Sequence, residues 1–162
     1  MMVYYIAKLN EEYGIPYIPT KGYNPGAFYE RWDEDKQIYN QAVVWAARGG
    51  HADIVKYLIN QKGANNFNEA MLWAGYGGNL EIVKYLIEKG ANNINRTIGW
   101  AAYWGRLDVL KYLIEKKGAD DFNNAMANAA KGGQMEIVKY LIGKGANNFN
   151  QAMRWAAGKG NY

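Results

Sequence analysis

Apolar and polar positions along the chain fall into one block written four times. It reads Ile54-Val55-Lys56-Tyr57-Leu58-Ile59, Ile82-Val83-Lys84-Tyr85-Leu86-Ile87, Val109-Leu110-Lys111-Tyr112-Leu113-Ile114 and Ile137-Val138-Lys139-Tyr140-Leu141-Ile142, at intervals of 28, 27 and 28 residues. Two aliphatic pairs one helical turn apart make a single apolar stripe on a helix. Asn40, Asn68, Asn95, Asn123 and Asn150 recur with the same period, and Gly63, Gly90, Gly118 and Gly145 close the units. A fixed period in this range predicts an all-α solenoid of paired antiparallel helices, in which each unit buries its apolar face only against its neighbours.

The second unit shows the expected pair. A first helix runs from about Asn68 to Tyr76. Asn68 is read as its N-cap, a side-chain acceptor for orphan backbone N–H groups. Met71, Ala74 and Gly75 give it a narrow face of small residues. Gly77-Gly78 breaks the chain, and a second helix runs from about Leu80 to Lys89. Glu81 at its start and Lys89 at its end suit the macrodipole, and Gly90 supplies a left-handed cap. Only Ala91-Asn92-Asn93-Ile94 then precedes Asn95, which leaves no room for a strand. The units are 39–66, 67–93, 94–121 and 122–148, followed by a half unit at 149–162.

Residues 1–38 do not repeat, and they hold Pro16, Pro19 and Pro25 among many aromatics. A helix is expected from Val3 to Glu12, and irregular chain from Gly14 to Gly26. The segment reads as a cap over the exposed end of the stack, or as an aromatic arm against the first unit. After Ala157 no second helix follows, so the tail to Tyr162, another chain or further sequence is expected to cover the last helix.

Composition narrows the chemistry. Among 162 residues there is no cysteine, no serine, one histidine (His51) and two threonines. Thiolate metal sites, disulfides and most nucleophilic hydrolase machinery cannot be assembled from this set. The expectation is a non-enzymatic binding protein with no catalytic residue, no metal and no cofactor. Residues 1–38 carry net −2 and residues 39–162 net +6. No apolar run approaches the ~20 residues of a membrane span, and Met1 to Glu12 lacks the basic start of a signal peptide. A cytoplasmic, reducing compartment follows as the expectation.

The run from Trp73 through Asn92, reading Trp-Ala-Gly-Tyr-Gly-Gly-Asn-Leu-Glu-Ile-Val-Lys-Tyr-Leu-Ile-Glu-Lys-Gly-Ala-Asn, resembles an ankyrin repeat. The first unit is closest, with Ala46-Ala47-Arg48-Gly49-Gly50-His51 against the family's A-A-x-x-G-H. The resemblance spans about residues 39–162. The family's T-P-L-H is missing, and Glu69-Ala70-Met71-Leu72 stands in its place. The units also fall short of the ~33 residues of an ordinary ankyrin repeat, a deficit that removes the protruding β-hairpin. Short Asn-rich units of this sort are similar to ankyrin arrays of large DNA viruses.

The resemblance implies a partner protein held on the concave face of the stack. It also implies which residues face that partner. Residues 48, 76, 77, 103, 104 and 131 match the two variable positions after A-A. The candidate surface is therefore Arg48, Tyr76, Tyr103, Trp104 and Lys131, with Trp45, Trp73 and Trp100 at i−3 beside them and Arg106 and Arg154 at the flanks. Aromatic and arginine side chains dominate binding hot spots. The same set suits a small nucleotide-like or planar anionic ligand, by stacking and charge. Trp45, Trp73, Trp100 and Trp155 read equally as helix-packing core. A third reading is a structural homo-oligomer built through the C-terminal helix. Lys56, Lys84, Lys111 and Lys139 form a solvated stripe offset by Asp53, Glu81, Asp108 and Glu136, which leaves little net charge for nucleic acid. His51 is a structural residue at a helix start.

Overall fold

The computed structural model describes residues 28–158, with side chains from residue 36 onward. The expected N-terminal helix, the Pro-rich segment and the tail beyond Gly158 lie outside the described residues. Within them are nine helices. These are α1 (Phe28–Gly49), α2 (Ala52–Lys62), α3 (Phe67–Gly77), α4 (Leu80–Glu88), α5 (Ile94–Tyr103), α6 (Leu107–Lys117), α7 (Phe122–Gly132), α8 (Met135–Gly143) and α9 (Phe149–Gly158). No strand occurs among the described residues. The all-α repeat stack is the fold. The boundary expected at residue 38 falls inside α1, which continues into the first unit as one helix.

Apart from α1, the helices run 9 to 11 residues. Helices this short are marginal alone, so packing rather than propensity holds them. The first helices stack in a row, α1 on α3 on α5 on α7 on α9, and each of the first four pairs with its second helix. The small-residue face does what its pattern predicts. Met71, Ala74 and Gly75 are all buried, as are Ile82, Val83 and Leu86 on α4. Tight approach is obligatory at Gly132, where an added Cβ would collide with the main-chain oxygen of Tyr103 in the preceding unit. Second helices α2 and α6 stop at Gly63 and Gly118, with φ +72° and +75°, a region only glycine enters cheaply.

The recurring asparagines are not N-caps. Helix α3 starts at Phe67, one residue before Asn68, and the capping residue is Asn66, which makes no side-chain cap bond. Asn68 instead reaches across to the next unit. Its Oδ1 accepts from the main-chain N–H groups of Asn92 (2.7 Å) and Asn93 (3.1 Å). Asn95 does the same for Asp120 and Asp121, at 3.0 and 3.2 Å. Asn123 does so for Asn147 and Asn148, at 2.8 and 2.9 Å, and Asn40 for Asn65 at 2.8 Å. Each clamp satisfies N–H groups at the start of the next first helix, which no intrahelical acceptor can reach.

A second set of ties caps the other end of the first helices. Asn79 donates to the carbonyl of Ala47 (2.8 Å), Arg106 to that of Tyr76 (2.9 Å) and Gln134 to that of Tyr103 (3.3 Å). These are the turn residues equivalent to His51, and each closes the helix C-terminus of the unit before it. On the face of the second helices, Lys84 lies 5.0 Å from the ring centre of Tyr112, and Lys111 lies 5.4 Å from that of Tyr140. The lysine stripe is thus exposed and also cross-linked to the following unit by cation–π contact.

Candidate binding surface

The ends of α1, α3 and α5 bring seven of the expected residues into one connected cluster. Trp45 and Trp73 stack at 6.3 Å between ring centres, with 25° between planes. Trp73 meets Trp100 edge-on at 5.4 Å, and Tyr76 contacts Trp73 at 5.4 Å and Trp100 at 6.4 Å. Tyr76 then meets Trp104 at 4.7 Å, and Trp104 meets Tyr103 at 5.0 Å. The helical spacing i, i+3 places Trp73 and Tyr76 on one face, and the 27–28-residue period lines them up with Trp45 and Trp100.

Arg48 is set among these rings. Its Cζ lies 5.3, 5.1 and 4.8 Å from the ring centres of Trp45, Trp73 and Tyr76. Its Nη2 donates to the Tyr76 hydroxyl at 3.2 Å. The guanidinium is therefore held among three aromatic rings, an environment that suits a planar, weakly hydrated cation.

Burial separates the members. Trp45, Arg48, Trp73, Tyr76, Trp100 and Tyr103 are half-buried, and Trp104 is 43% exposed. The tryptophan rungs lie against the hydrophobic core through Trp45 and Trp73 while keeping an exposed edge. Helices packed about 10 Å apart would leave gaps between rungs. The rings lean together instead, at distances typical of direct ring contact, about 4.5–7 Å.

The remaining candidates lie elsewhere. Lys131 sits with its Nζ 4.2 Å from the ring centre of Trp155, toward the end of the array. The ladder is interrupted between this contact and the cluster by Asn128, which donates to the carbonyl of Asn124. Arg154 is exposed and makes no ring contact or ion pair among the described residues. Arg106 is half-buried and its Nε is engaged by the Tyr76 carbonyl, directly beneath the cluster. Sequence reasoning missed this tie and its equivalents at Asn79 and Gln134. The signal was available in the 28, 27 and 28-residue spacing of His51, Asn79, Arg106 and Gln134, each just before a second helix.

Charge is distributed unevenly between the two faces. Between residues 39 and 158, the first helices and the turns after them carry Arg48, Arg96, Arg106, Lys131 and Arg154 against Glu69 alone. The second helices mix signs, as in the Lys56–Glu81 and Lys144–Glu115 ion pairs at 3.2 and 3.7 Å. There Tyr140 donates to Glu115 at 2.8 Å. Burial and that hydrogen bond push the Tyr140 phenol up to about 12, and the same bond holds the Glu115 carboxyl below its usual range.

Paired helices in a one-dimensional stack, tied unit to unit and presenting a side-chain cluster on one face, define a helical-repeat scaffold. The family model for ankyrin repeats matches three overlapping stretches, residues 28–98, 43–124 and 98–162, and the chain belongs to that family. Its repeats are generally protein–protein interaction modules and typically non-enzymatic. No curated protein matches the chain. Among the described residues, no helix is long and apolar enough to cross a membrane.

Proposed function

We propose that this chain is a non-enzymatic binding protein that holds a partner protein on the concave face formed by its first helices, centred on Tyr76, Tyr103 and Trp104. The observation that carries this reading is variation inside the array. Packing positions such as Ala46, Ala74, Ala101 and Ala129 repeat unchanged, while the half-exposed positions two residues on read Arg48, Tyr76, Tyr103 and Lys131. Arg48, Tyr76 and Tyr103 meet other cluster side chains and solvent, whereas the equally varied turn residues Asn79, Arg106 and Gln134 are tied to main-chain carbonyls. Trp104 offers a large exposed indole edge buttressed by Tyr76 and Tyr103, the kind of rigid aromatic that anchors protein interfaces. Arg48, Lys131 and Arg154 would steer an acidic partner and raise its association rate.

A small planar anion is less well served. The rings already contact one another and Arg48, so no slot between rungs is open for a base to enter. A reducing compartment such as the cytoplasm suits the cysteine-free composition. The test is photo-crosslinking. A benzophenone amino acid is placed at position 104 and, in a second protein, at position 112 on the opposite face. Discrete protein adducts from position 104 alone are expected; identical adducts from both positions would rule the concave reading out.

A further inference from the structure

Cations on the two faces of the array differ in their company. On the face of the second helices, Lys56 pairs with Glu81 and Lys144 with Glu115. On the concave face, Arg48 is half-buried and has no carboxylate within ion-pair distance among the described residues. A charge withdrawn from water is ordinarily paired, because without a partner it loses hydration and gains nothing in exchange. The rings of Trp45, Trp73 and Tyr76 return part of that loss. The hydrogen bonding of Arg48 stays incomplete. A guanidinium carries five N–H donors, and among the described residues only Nη2 finds an acceptor, the Tyr76 hydroxyl at 3.2 Å. The other nitrogens are not sealed from solvent. The Tyr76 hydroxyl accepts from Arg48, and its own proton has no acceptor among the described residues.

Nearby acids are out of reach. Glu69 accepts from the side chain of Asn66 at 2.7 Å, at the start of α3 and seven residues before Tyr76. The acidic positions 30, 33, 34 and 35 of α1 stand 13 to 18 residues up the same helix from Arg48. At 1.5 Å per residue that is roughly 20 Å or more.

We propose that Arg48 and the Tyr76 hydroxyl form a carboxylate-binding subsite, which takes an aspartate or glutamate side chain from an extended segment of the partner protein. The proposal rests on the concave-face reading and adds a partner chemistry to it. A guanidinium fork matches a carboxylate through two parallel N–H···O bonds, and the phenol adds a third donor. The surrounding rings hold water back and strengthen the pair. The charge of the face favours an anion, with Arg96, Arg106, Lys131 and Arg154 against Glu69. Spacing defines the segment. The Arg48 guanidinium carbon and the Trp104 ring centre lie 4.8 and 4.7 Å from the ring centre of Tyr76. They are thus within about 10 Å of one another, two or three residues of extended chain at roughly 3.3 Å each. The segment therefore carries its acid two or three positions from a large apolar residue, which lies against the exposed indole of Trp104. A nucleic-acid phosphate is served less well, because the rings already touch and offer a base no place to stack.

The test is selection of a phage-displayed random peptide library against the full chain, followed by anisotropy titration of the strongest clone as a fluorescein-labelled peptide. Enriched peptides should carry Asp or Glu two or three residues from an aromatic or leucine. Replacing that acid by its amide should weaken binding at least about thirtyfold, and so should Arg48→Met. The two changes together should cost little more than either alone, the mark of a direct pair. Tyr76→Phe should cost about tenfold, and it serves if Arg48→Met folds poorly by circular dichroism. Glu11→Gln combined with Glu12→Gln should leave the affinity unchanged. Tighter binding by that variant would overturn the proposal, because the chain's own carboxylates would then hold the site. So would no enriched peptide, enriched peptides without an acid, additive losses, or displacement of the peptide by a short oligothymidylate. Peptides weakened by Trp104→Ala and not by Arg48→Met would refute this subsite and leave the concave-face reading standing. Peptides indifferent to both variants would refute the two together.

Discussion

Two of the periodic ladders that run along this molecule obey opposite rules. The clamp ladder is Asn40, Asn68, Asn95 and Asn123, the same residue every time. The other ladder, at the ends of the first helices, reads Arg48, Tyr76, Tyr103 and Lys131. The difference lies in what each side chain touches. A clamp asparagine accepts from backbone N–H groups, whose geometry repeats with the fold, so only a short amide of fixed reach serves. The side chains of the second ladder meet one another and solvent, and the stack places no common demand on them. Variation alone does not mark an open surface, since the turn residues Asn79, Arg106 and Gln134 differ and still all tie to main-chain carbonyls. What sets the second ladder apart is variation at side chains that meet rings and solvent instead of backbone. The tryptophans at 45, 73 and 100 are intermediate, and so is their burial.

Changing the fixed parts should cost the most stability. Leu86 is fully buried on α4, and Leu86→Ala should cost about 2–5 kcal/mol through the cavity it leaves. In a nearest-neighbour stack hydrogen exchange should rise in adjacent units more than in distant ones; uniform loosening would count against the repeat description. Asn95→Ala removes an acceptor for two main-chain N–H groups and should cost about 1–2 kcal/mol in a denaturant melt. Asn150→Ala, the same change at the same register position, should stay within about 0.5 kcal/mol. Asn150 accepts no main-chain N–H among the described residues, so equal losses at 95 and 150 would count against the clamp as the cause.

The smallest effect concerns pH. Tyr140 is held protonated up to about 12, so the stability it lends is complete below its ordinary value near 10.0 and is lost as pH rises through 12. Glu115 is held below its ordinary 4.5, so its share is present above that value and is lost as pH falls through the lowered one. Glu115 is exposed and Tyr140 half-buried, so solvent screens the pair and the effect on the melting temperature should be slight. In an ultraviolet difference titration, Glu115→Gln should bring the Tyr140 midpoint down only part of the way to 10.0, because burial is the larger cause of its shift.

Most of the fold was legible because it depends on periodicity. The stripe from Ile82 to Ile87, flanked by Gly77-Gly78 and Gly90, predicted a helix over 80–89, and α4 spans Leu80–Glu88. The role of the asparagines was not legible. An Asn before an apolar run reads locally as a cap, but the true partners of Asn68 lie 24 and 25 residues away. Adjacency of the aromatic residues followed from register alone, whereas the tilt that closes the gaps between rungs depends on χ angles, which spacing does not reveal. Arg106 shows the limit most clearly. Its position beside the aromatic cluster was readable, and its engagement with the Tyr76 carbonyl was not.

The central claim is that the varied ladder, with Trp104 at its middle, is the binding surface while the fold does without it. The direct measurement is the affinity of Trp104→Ala for the protein captured at position 104, taken with its melting temperature and compared with Lys111→Ala on the opposite face. The account predicts a loss of about 2 kcal/mol or more for Trp104→Ala, roughly thirtyfold, with an unchanged melt and with Lys111→Ala binding as the parent does. If Trp104→Ala lowers the melting temperature by several degrees while each folded molecule binds as before, the cluster belongs to the core and the account is wrong.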